Sequence, residues 1–207
     1  MSTVDARLLS GRALYEEVVL QKLCRARESV WISTANVKAM LVEHGKGFVP
    51  IVDVLAGLAA KGVALRLLHA ETPSRPFRAA FEKHARPLRD AMQMRICPRV
   101  HFKTVLLDGA WVYLGSANLT GAGLGAKDVD RRNFEMGFAT EDFDVIDHVT
   151  ALFEAIWSGA ECRACKLHDV CPAPLGPTAR TTPRRRRRQE SDVRLGQTRR
   201  LPMMRDG

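Results

Sequence analysis

The sequence lacks any uninterrupted apolar run of about 18 residues, the length that a membrane-spanning helix requires. Its first residues, MSTVDARLLSGRAL, also lack the apolar stretch of a secretory signal, and we therefore expect a cytoplasmic protein. Hydrophobic residues make up 46% of the chain and charged residues 27%, a balance typical of a folded globular domain. A chain of 207 residues can bury a substantial core.

Acidic residues are scarce at the C-terminal end. Residues 178–207 contain ten Arg against Glu190, Asp192 and Asp206, so this segment holds +7 of the net charge of +9. The first 177 residues therefore carry only about +2. Prolines are frequent and apolar residues few from Pro172 onward, which predicts a disordered basic tail. Such a tail would bind nucleic acid by releasing counterions, and an anionic membrane surface would attract it too.

The chain does not have the even number of cysteines that a disulfide framework requires. It has five, and Cys162, Cys165 and Cys171 form the pattern C-x2-C-x5-C, which fits metal binding in a reducing compartment better. A fourth ligand is needed, and the candidates are Cys97, Cys24 and His168. Cys97 is the preferred candidate, because it precedes a proline as Cys171 does, a frequent companion of iron–sulfur ligands.

Two kinds of structural metal site fit this pattern, an iron–sulfur cluster, which is preferred, and a zinc ion; cysteines that bind no metal are the third alternative. The spacing of the last three cysteines resembles the iron–sulfur staple of recombination and CRISPR-associated nucleases, which have a different fold, and His168 as a ligand would favour zinc. Cys24 follows Leu20 at helical spacing and is predicted to be a core residue.

Hydrophobic periodicity predicts alternating strands and helices. Helices are expected at 11–28, 49–60, 76–88 and 143–158, and strands at 30–35, 63–69, 92–97, 101–107, 111–114 and 133–140. This order predicts an α/β fold, a mixed sheet with helices on both faces. We expect a catalytic domain over 1–160, a Cys-rich metal-binding segment over 161–177 and the basic tail over 178–207.

One stretch, HFKTVLLDGAWVYLGSAN, carries most of the chemistry. His101 and Lys103 are two apart on a predicted strand and therefore point to the same face. Asp108 and Gly109 form a hairpin turn signal, and the returning strand ends in Gly115, Ser116 and Asn118. We expect the hairpin to gather an imidazole, an ammonium, a hydroxyl and an amide at one edge of a sheet, a set that suits a tetrahedral anion.

The spacing H-x-K-x4-D-x6-G-S-x-N resembles the signature of the phospholipase D superfamily, and all six positions match. The resemblance implies catalysis without a metal, with His101 as the nucleophile. Lys103, Ser116 and Asn118 would hold the phosphate oxygens. Asp108 and Gly115 are expected to be structural: the aspartate caps backbone amides, and the glycine lets the backbone approach the phosphate.

Members of this superfamily use two histidines, one from each of two motifs or of two protomers. The only other His-x-Lys pair, His44 and Lys46, has no downstream Asp or Gly-Ser-x-Asn, and we expect it in a loop. The resemblance therefore implies a homodimer whose active site contains two copies of His101. It also implies that Glu135, on the next strand, hydrogen-bonds the imidazole and sets its tautomer.

The resulting functional hypothesis is a phosphodiesterase, and a nuclease acting on DNA or RNA is the preferred form. A phospholipase or phosphatidyltransferase is one alternative, although residues 119–132 show no apolar surface of the kind a lipid enzyme needs. The other alternative is a non-catalytic nucleic-acid-binding subunit of a DNA repair or phage-defence complex.

Overall fold

The computed structural model describes residues 3–175, in which a seven-stranded mixed sheet has the order β1–β9–β8–β7–β2–β5–β6. The strands are β1 Arg7–Ser10, β2 Ser29–Thr34, β3 Leu41–His44, β4 Gly47–Pro50, β5 Ala64–His69, β6 Met92–Ile96, β7 Lys103–Leu107, β8 Trp111–Gly115 and β9 Met136–Thr140. The helices are α1 Arg12–Leu14, which continues as a π-helix over Tyr15–Lys22 and a 3₁₀ turn over Leu23–Arg25, then α2 Ile51–Ala59, α3 Arg75–Lys83, α4 Ala85–Ala91 and α5 Phe143–Ser158. The predicted α/β fold is confirmed. The predicted tail over 178–207 lies outside the described residues.

Helices cover both faces of the sheet. On one face, Ile146 and Val149 of α5 pack against Leu106 of β7. On the other face, the π-helix and α2 form a larger core with alternate residues of the central strands, including Val18, Leu55, Ile32 and Val105. Each such side chain contributes about 1.5–3 kcal/mol when it is fully buried, so these two layers supply most of the stability. No helix among the described residues is both long and apolar enough to cross a membrane.

Two of the predicted helices differ in the structure. The helix expected over 76–88 is interrupted at His84, where α3 ends and α4 begins. Pro87 has no amide hydrogen to donate to the Lys83 carbonyl, so one helix cannot continue through this point. The ring of His84 is hydrogen bonded to Asp53 of α2, with 2.9 Å between Nε2 and Oδ1. The helix expected over 11–28 is mostly a π-helix.

The sequence analysis missed β1 and the β3–β4 hairpin. The loop predicted around His44 is therefore wrong at its flanks, because His44 ends β3 and is paired with Gly47 of β4. Gly45 has a φ of +60°, which allows the short turn that contains Lys46. This hairpin lies outside the seven-stranded sheet, so the second His-x-Lys pair is not part of the edge that carries His101 and Lys103.

Asp108 closes the turn between β7 and β8 and also binds the start of β2. Asp108 and Gly109 have φ angles of +54° and +62°, as a two-residue type I′ hairpin turn requires. The Asp108 carboxylate accepts hydrogen bonds of 2.8–3.1 Å from the backbone amides of Arg27, Glu28 and Ser29. Burial raises the pKa of Asp108, but these three amides outweigh it and the net effect is a lowered pKa. The turn lies at the end of the strands opposite Lys103.

We predict that Asp108→Ala lowers the free energy of unfolding by about 3 kcal/mol at pH 7, because three amides lose a charged acceptor. Asp108→Asn should cost less, since Asn keeps one acceptor oxygen and tolerates a positive φ. The carboxylate contribution is present above the unfolded pKa of Asp and is lost as the pH falls through the lower folded value. Urea unfolding of the three proteins from pH 7 to pH 3 measures this, and equal losses for Ala and Asn would contradict it.

Candidate active site

The candidate site lies at the edge of the sheet where the parallel strands β2 and β5 end. β7 begins at this edge with Lys103, which is paired with Gly115 at the end of β8. On its other side β7 is paired with β2, which ends at Thr34. His101 lies two residues before Lys103, outside β7 rather than within the strand expected over 101–107. The carboxyl ends of parallel strands are a common location for ligand sites.

Lys103 and His101 are in contact. The ammonium group of Lys103 lies 3.3 Å from Nδ1 of His101 and also donates to the His101 carbonyl oxygen. Lys103 is only 7% exposed, whereas His101 is exposed to solvent. Burial lowers the pKa of Lys103, and the nearby Glu135 carboxylate partly opposes this shift. A bound anion would compensate the desolvated ammonium, so the pair is suited to an anionic ligand that the imidazole can reach.

The side-chain oxygen of Asn118 is bound at the end of β2. This oxygen is 3.1 Å from the Thr34 hydroxyl and accepts hydrogen bonds of 3.1 Å from the amides of Ala35 and Asn36. Because backbone amides can only donate, the atom facing them is the oxygen, and the orientation of the carboxamide is fixed. Its two N–H groups make none of these bonds and can bind a ligand oxygen.

Thr34 and Ser33 at the end of β2 are site residues that the sequence analysis missed. The Thr34 hydroxyl accepts a hydrogen bond of 3.1 Å from the backbone amide of Leu119, and so holds the segment that contains Asn118. The Ser33 hydroxyl lies 2.7 Å from the Thr104 hydroxyl of β7. The signal that could have found them is a pair of hydroxyl residues at the end of an otherwise apolar strand.

The segment that carries Ser116 and Asn118 crosses the end of β7. It leaves β8 after Gly115 on one side of Lys103 and is bound to the end of β2 on the other side. Lys103 is therefore flanked by Ser116 and Asn118. The structure thus brings together four of the predicted residues, including His101.

Glu135 contacts Ser116 and not the imidazole of His101, the partner that the resemblance implied. The Ser116 hydroxyl donates to Oε2 of Glu135, and Nδ2 of Asn133 donates to Oε1 at 3.2 Å. The bond from Glu135 to His101 that the resemblance implied is not among the hydrogen bonds of residues 3–175. Glu135 directly precedes β9, which begins at Met136 and not at Asn133 as predicted.

Gly115 makes room for a tyrosine as well as for the strands. A Cβ atom at Gly115 would lie 2.1 Å from the Tyr113 hydroxyl and 2.7 Å from the Met136 carbonyl oxygen. A Cβ atom at Gly137 would lie 2.5 Å from the same ring. Burial raises the pKa of Tyr113 to about 12, although contact with the Ala117 backbone opposes the shift. A neutral, buried ring therefore fills the space beside Gly115 and supports the site edge.

The cysteines occupy two places. Cys24 packs against the main core. The other four, together with His168, line one cavity near the end of β6 and the end of α5, and all five thiols are free. The lining also includes Arg99, which is two residues before His101.

Two Asn118 variants separate anchoring from ligand binding. We predict that Asn118→Ala lowers the free energy of unfolding by about 3 kcal/mol, because the backbone amides of Ala35 and Asn36 lose their acceptor. Asn118→Asp keeps an acceptor oxygen and should cost no more than about 1 kcal/mol. It replaces the amino group by a charged oxygen, however, and should abolish binding of inorganic phosphate or tungstate. Urea unfolding and calorimetric titration measure the two effects, and undiminished oxyanion binding by Asn118→Asp would show that the amino group does not face the ligand.

The family model described as "Cardiolipin synthase, PLD-like domain" matches residues 19–157, more than half of the chain. No sequence among the curated proteins matches this chain. Nuc from Salmonella typhimurium, a phospholipase D family member, is 17% identical; the alignment covers 74% of this chain and 95% of that protein, with a TM-score of 0.55. NucT from Helicobacter pylori is also 17% identical; the alignment covers 75% of this chain and 96% of that protein, with a TM-score of 0.50. TrmBL2, an archaeal chromatin protein with a novel mode of DNA binding, is 15% identical; the alignment covers 73% of this chain and 51% of that protein, with a TM-score of 0.50.

At these identities the solved structures establish a common fold, and the family model establishes the relationship in sequence. The matched residues contain β2, β5, β7, β8 and β9, which build the site edge, and they include both His101 and Asn118. The chain belongs to the family of phospholipase D-like domains.

Proposed function

We propose that this protein is a phosphodiesterase that cleaves DNA or RNA through a phosphohistidine intermediate. The observation that supports the proposal is the grouping at one sheet edge of an exposed imidazole, His101, with a buried ammonium, Lys103, and an oriented amide, Asn118. An imidazole is a nucleophile near neutral pH, and the other two groups donate hydrogen bonds to oxygen.

The reaction has two steps in this proposal. A ring nitrogen of His101 attacks the phosphorus, a nitrogen–phosphorus bond forms, and the bond from phosphorus to the leaving oxygen breaks. The leaving oxygen takes a proton from a general acid. Water then attacks the phosphohistidine, gives a proton to the same group and releases His101 with a phosphomonoester. Lys103 and Asn118 hold the non-bridging oxygens, whose negative charge grows in both transition states.

The general acid is the His101 copy of a second protomer. One imidazole cannot attack phosphorus on one side and protonate the leaving oxygen on the other, and the described residues offer no second His-x-Lys pair at this edge. A twofold contact repeats the same surface on both protomers and so brings two copies of one residue face to face.

An exposed apolar surface beside the site supports a contact with a second copy. Leu8 of β1 is directly paired with Phe138 of β9, so their side chains share one face of the sheet, and Met136 lies on the same face. All three are exposed, and Phe134, next to Glu135, is completely exposed. Several large apolar side chains exposed together near a site mark a surface that binds a partner.

The proposed substrate is nucleic acid, because the most basic part of the sequence, residues 178–207, matches a polyanion. The exposed apolar residues also favour a second candidate, transfer or hydrolysis at a lipid phosphodiester, since Phe134 and Met136 would contact acyl chains. A non-catalytic role as a nucleic-acid-binding subunit of a larger complex is the third reading. The first two candidates differ in the diester that is cleaved, and the third predicts binding of nucleic acid without cleavage.

We predict that the protein cleaves labelled DNA or RNA in EDTA, because the donors to the phosphate oxygens are Lys103 and Asn118 rather than a metal. His101→Ala should lower turnover by about 10³-fold or more, since the nucleophile is lost. His44→Ala, in the separate hairpin, is the matched control and should retain full turnover. Acid-labile radiolabel retained on His101 after rapid quenching reports the intermediate.

Three results would contradict the proposal. Near wild-type cleavage by His101→Ala would show that His101 is not the nucleophile. Strict dependence on added magnesium would show that the phosphate oxygens are held by a metal and not by Lys103 and Asn118. Cleavage of a phosphatidylglycerol vesicle but of no nucleic acid would establish the lipid candidate in its place. No cleavage of any diester, with nucleic acid still bound, would establish the non-catalytic reading.

A heterodimer tests the shared site. We predict that dimers of one wild-type and one His101→Ala protomer, purified through two different tags, are as inactive as the His101→Ala homodimer. Protomers with independent sites would instead retain half of the wild-type turnover. Phe138→Glu should shift the protein from dimer to monomer in sedimentation and abolish cleavage, because the charge lies on the apolar contact surface. Phe48→Glu, an equally drastic change at an exposed phenylalanine of the β3–β4 hairpin, is its control.

A further inference from the structure

The chain after α5 forms a series of short turns that place its cysteines on one side. The amides of Cys162, Cys165, His168 and Cys171 each donate to the carbonyl oxygen three residues earlier, at 2.9–3.3 Å, beginning with that of Gly159. His168–Val170 forms a short 3₁₀ helix, and Cys171 directly after it is extended. The three thiols and one imidazole of the pattern C-x2-C-x2-H-x2-C line the same cavity.

That side faces a fourth thiol from a distant part of the sequence. Cys97 directly follows β6, and its amide donates to the His69 carbonyl oxygen at 2.8 Å, which fixes it at the end of the strand. All four thiols and His168 line a single cavity of about 30 Å³, and most of the remaining lining is apolar. The four cysteines are partly exposed and free.

Ordinary packing does not explain this arrangement. Cysteines that act as small apolar residues are usually fully buried, and there is no packing reason for four of them to share one cavity. Within residues 3–175, no three Cys, His, Asp or Glu side chains already have the geometry of a metal site. The four thiols line one cavity, and metal binding by such a set of cysteines is coupled to the local fold, so the ion would order its ligands as it binds.

We propose that Cys97, Cys162, Cys165 and Cys171 bind one zinc ion as four thiolates. Four sulfur ligands in tetrahedral geometry, two of them from a C-x2-C turn, are typical of structural zinc. The cavity that all four thiols line is small, about 30 Å³, which favours a single ion over an iron–sulfur cluster. A second cavity of about 280 Å³ adjoins it at Cys97, Cys162 and Cys165. Four thiolates leave a zinc site with a net charge of −2, and the guanidinium group of Arg99, which contacts Cys165, offsets part of it.

The zinc site positions the segment that leads to His101. Val100 packs in a small core with Phe153 and Trp157 of α5, and Phe102 packs against it. The ion would tie Cys97, four residues before His101, to the turns that follow α5. This consequence for catalysis depends on the proposed function, whereas the metal site itself does not.

The test measures metal in the full-length protein. Elemental analysis should find about one zinc per chain, and X-ray absorption should show four sulfur neighbours at about 2.3 Å. Cys97→Ser, Cys162→Ser, Cys165→Ser and Cys171→Ser should each lose most of the zinc and lower the melting temperature. Cys24→Ser, which changes the fifth cysteine, is the matched control and should keep one zinc. Replacement of zinc by cobalt in the wild-type protein should produce the visible bands of a tetrahedral thiolate site, a readout that needs no variant.

Several outcomes would overturn the assignment. A brown protein that contains iron and sulfide would replace zinc by a cluster. Wild-type and Cys24→Ser proteins that are both free of metal would remove the site. If His168→Ala lost zinc as completely as Cys97→Ser, the imidazole would be a ligand in place of one of the four thiolates. Stoichiometric zinc in a protein that cleaves no diester would leave the site standing and refute only the proposed function.

Discussion

The candidate site depends on the hydrogen bonds that Asn118 accepts from the end of β2. The chain leaves β8 after Gly115 and must cross the end of β7 before Asn118 meets the amides of Ala35 and Asn36. This crossing places Ser116 on one side of Lys103 and Asn118 on the other. Without an acceptor at Asn118, two backbone amides at the end of a buried strand would have no partner, which costs about 1–3 kcal/mol for each. The same contact therefore stabilises the fold and orients the site.

The charges at the site edge are arranged to receive an anion. Lys103 is desolvated, which lowers its pKa, and Glu135, the carboxylate that raises it, is hydrogen bonded to Ser116 and Asn133. A phosphate would supply the negative charge that the buried ammonium lacks. Lys103 is buried whereas His101 is exposed, so the imidazole is open to a ligand that approaches this edge.

Two distant contacts hold the strands that carry the site. At the far end of β7, the Asp108 carboxylate binds three amides at the start of β2, so the β7–β8 hairpin is fixed in register with the central strands. Before β7, the segment after Cys97 packs against α5. The proposed zinc site would stabilise this second contact. The ion would take no part in the proposed reaction, although Cys97 lies only four residues before His101.

The sequence alone determined the α/β class, most strands and α5, because apolar periodicity is set by which side chains must be buried. It also indicated four of the candidate residues, since His101, Lys103, Ser116 and Asn118 follow a spacing that a β-hairpin brings to one edge, but not Thr34. It could not show β1 or the β3–β4 hairpin, short strands whose pairing depends on distant partners. Only the tertiary structure decided that Thr34 anchors Asn118, that Glu135 binds Ser116, and that Cys97 rather than Cys24 faces the cysteine turns. Each of these contacts joins residues far apart in the chain, and local patterns carry no information about which distant side chain supplies a hydrogen bond.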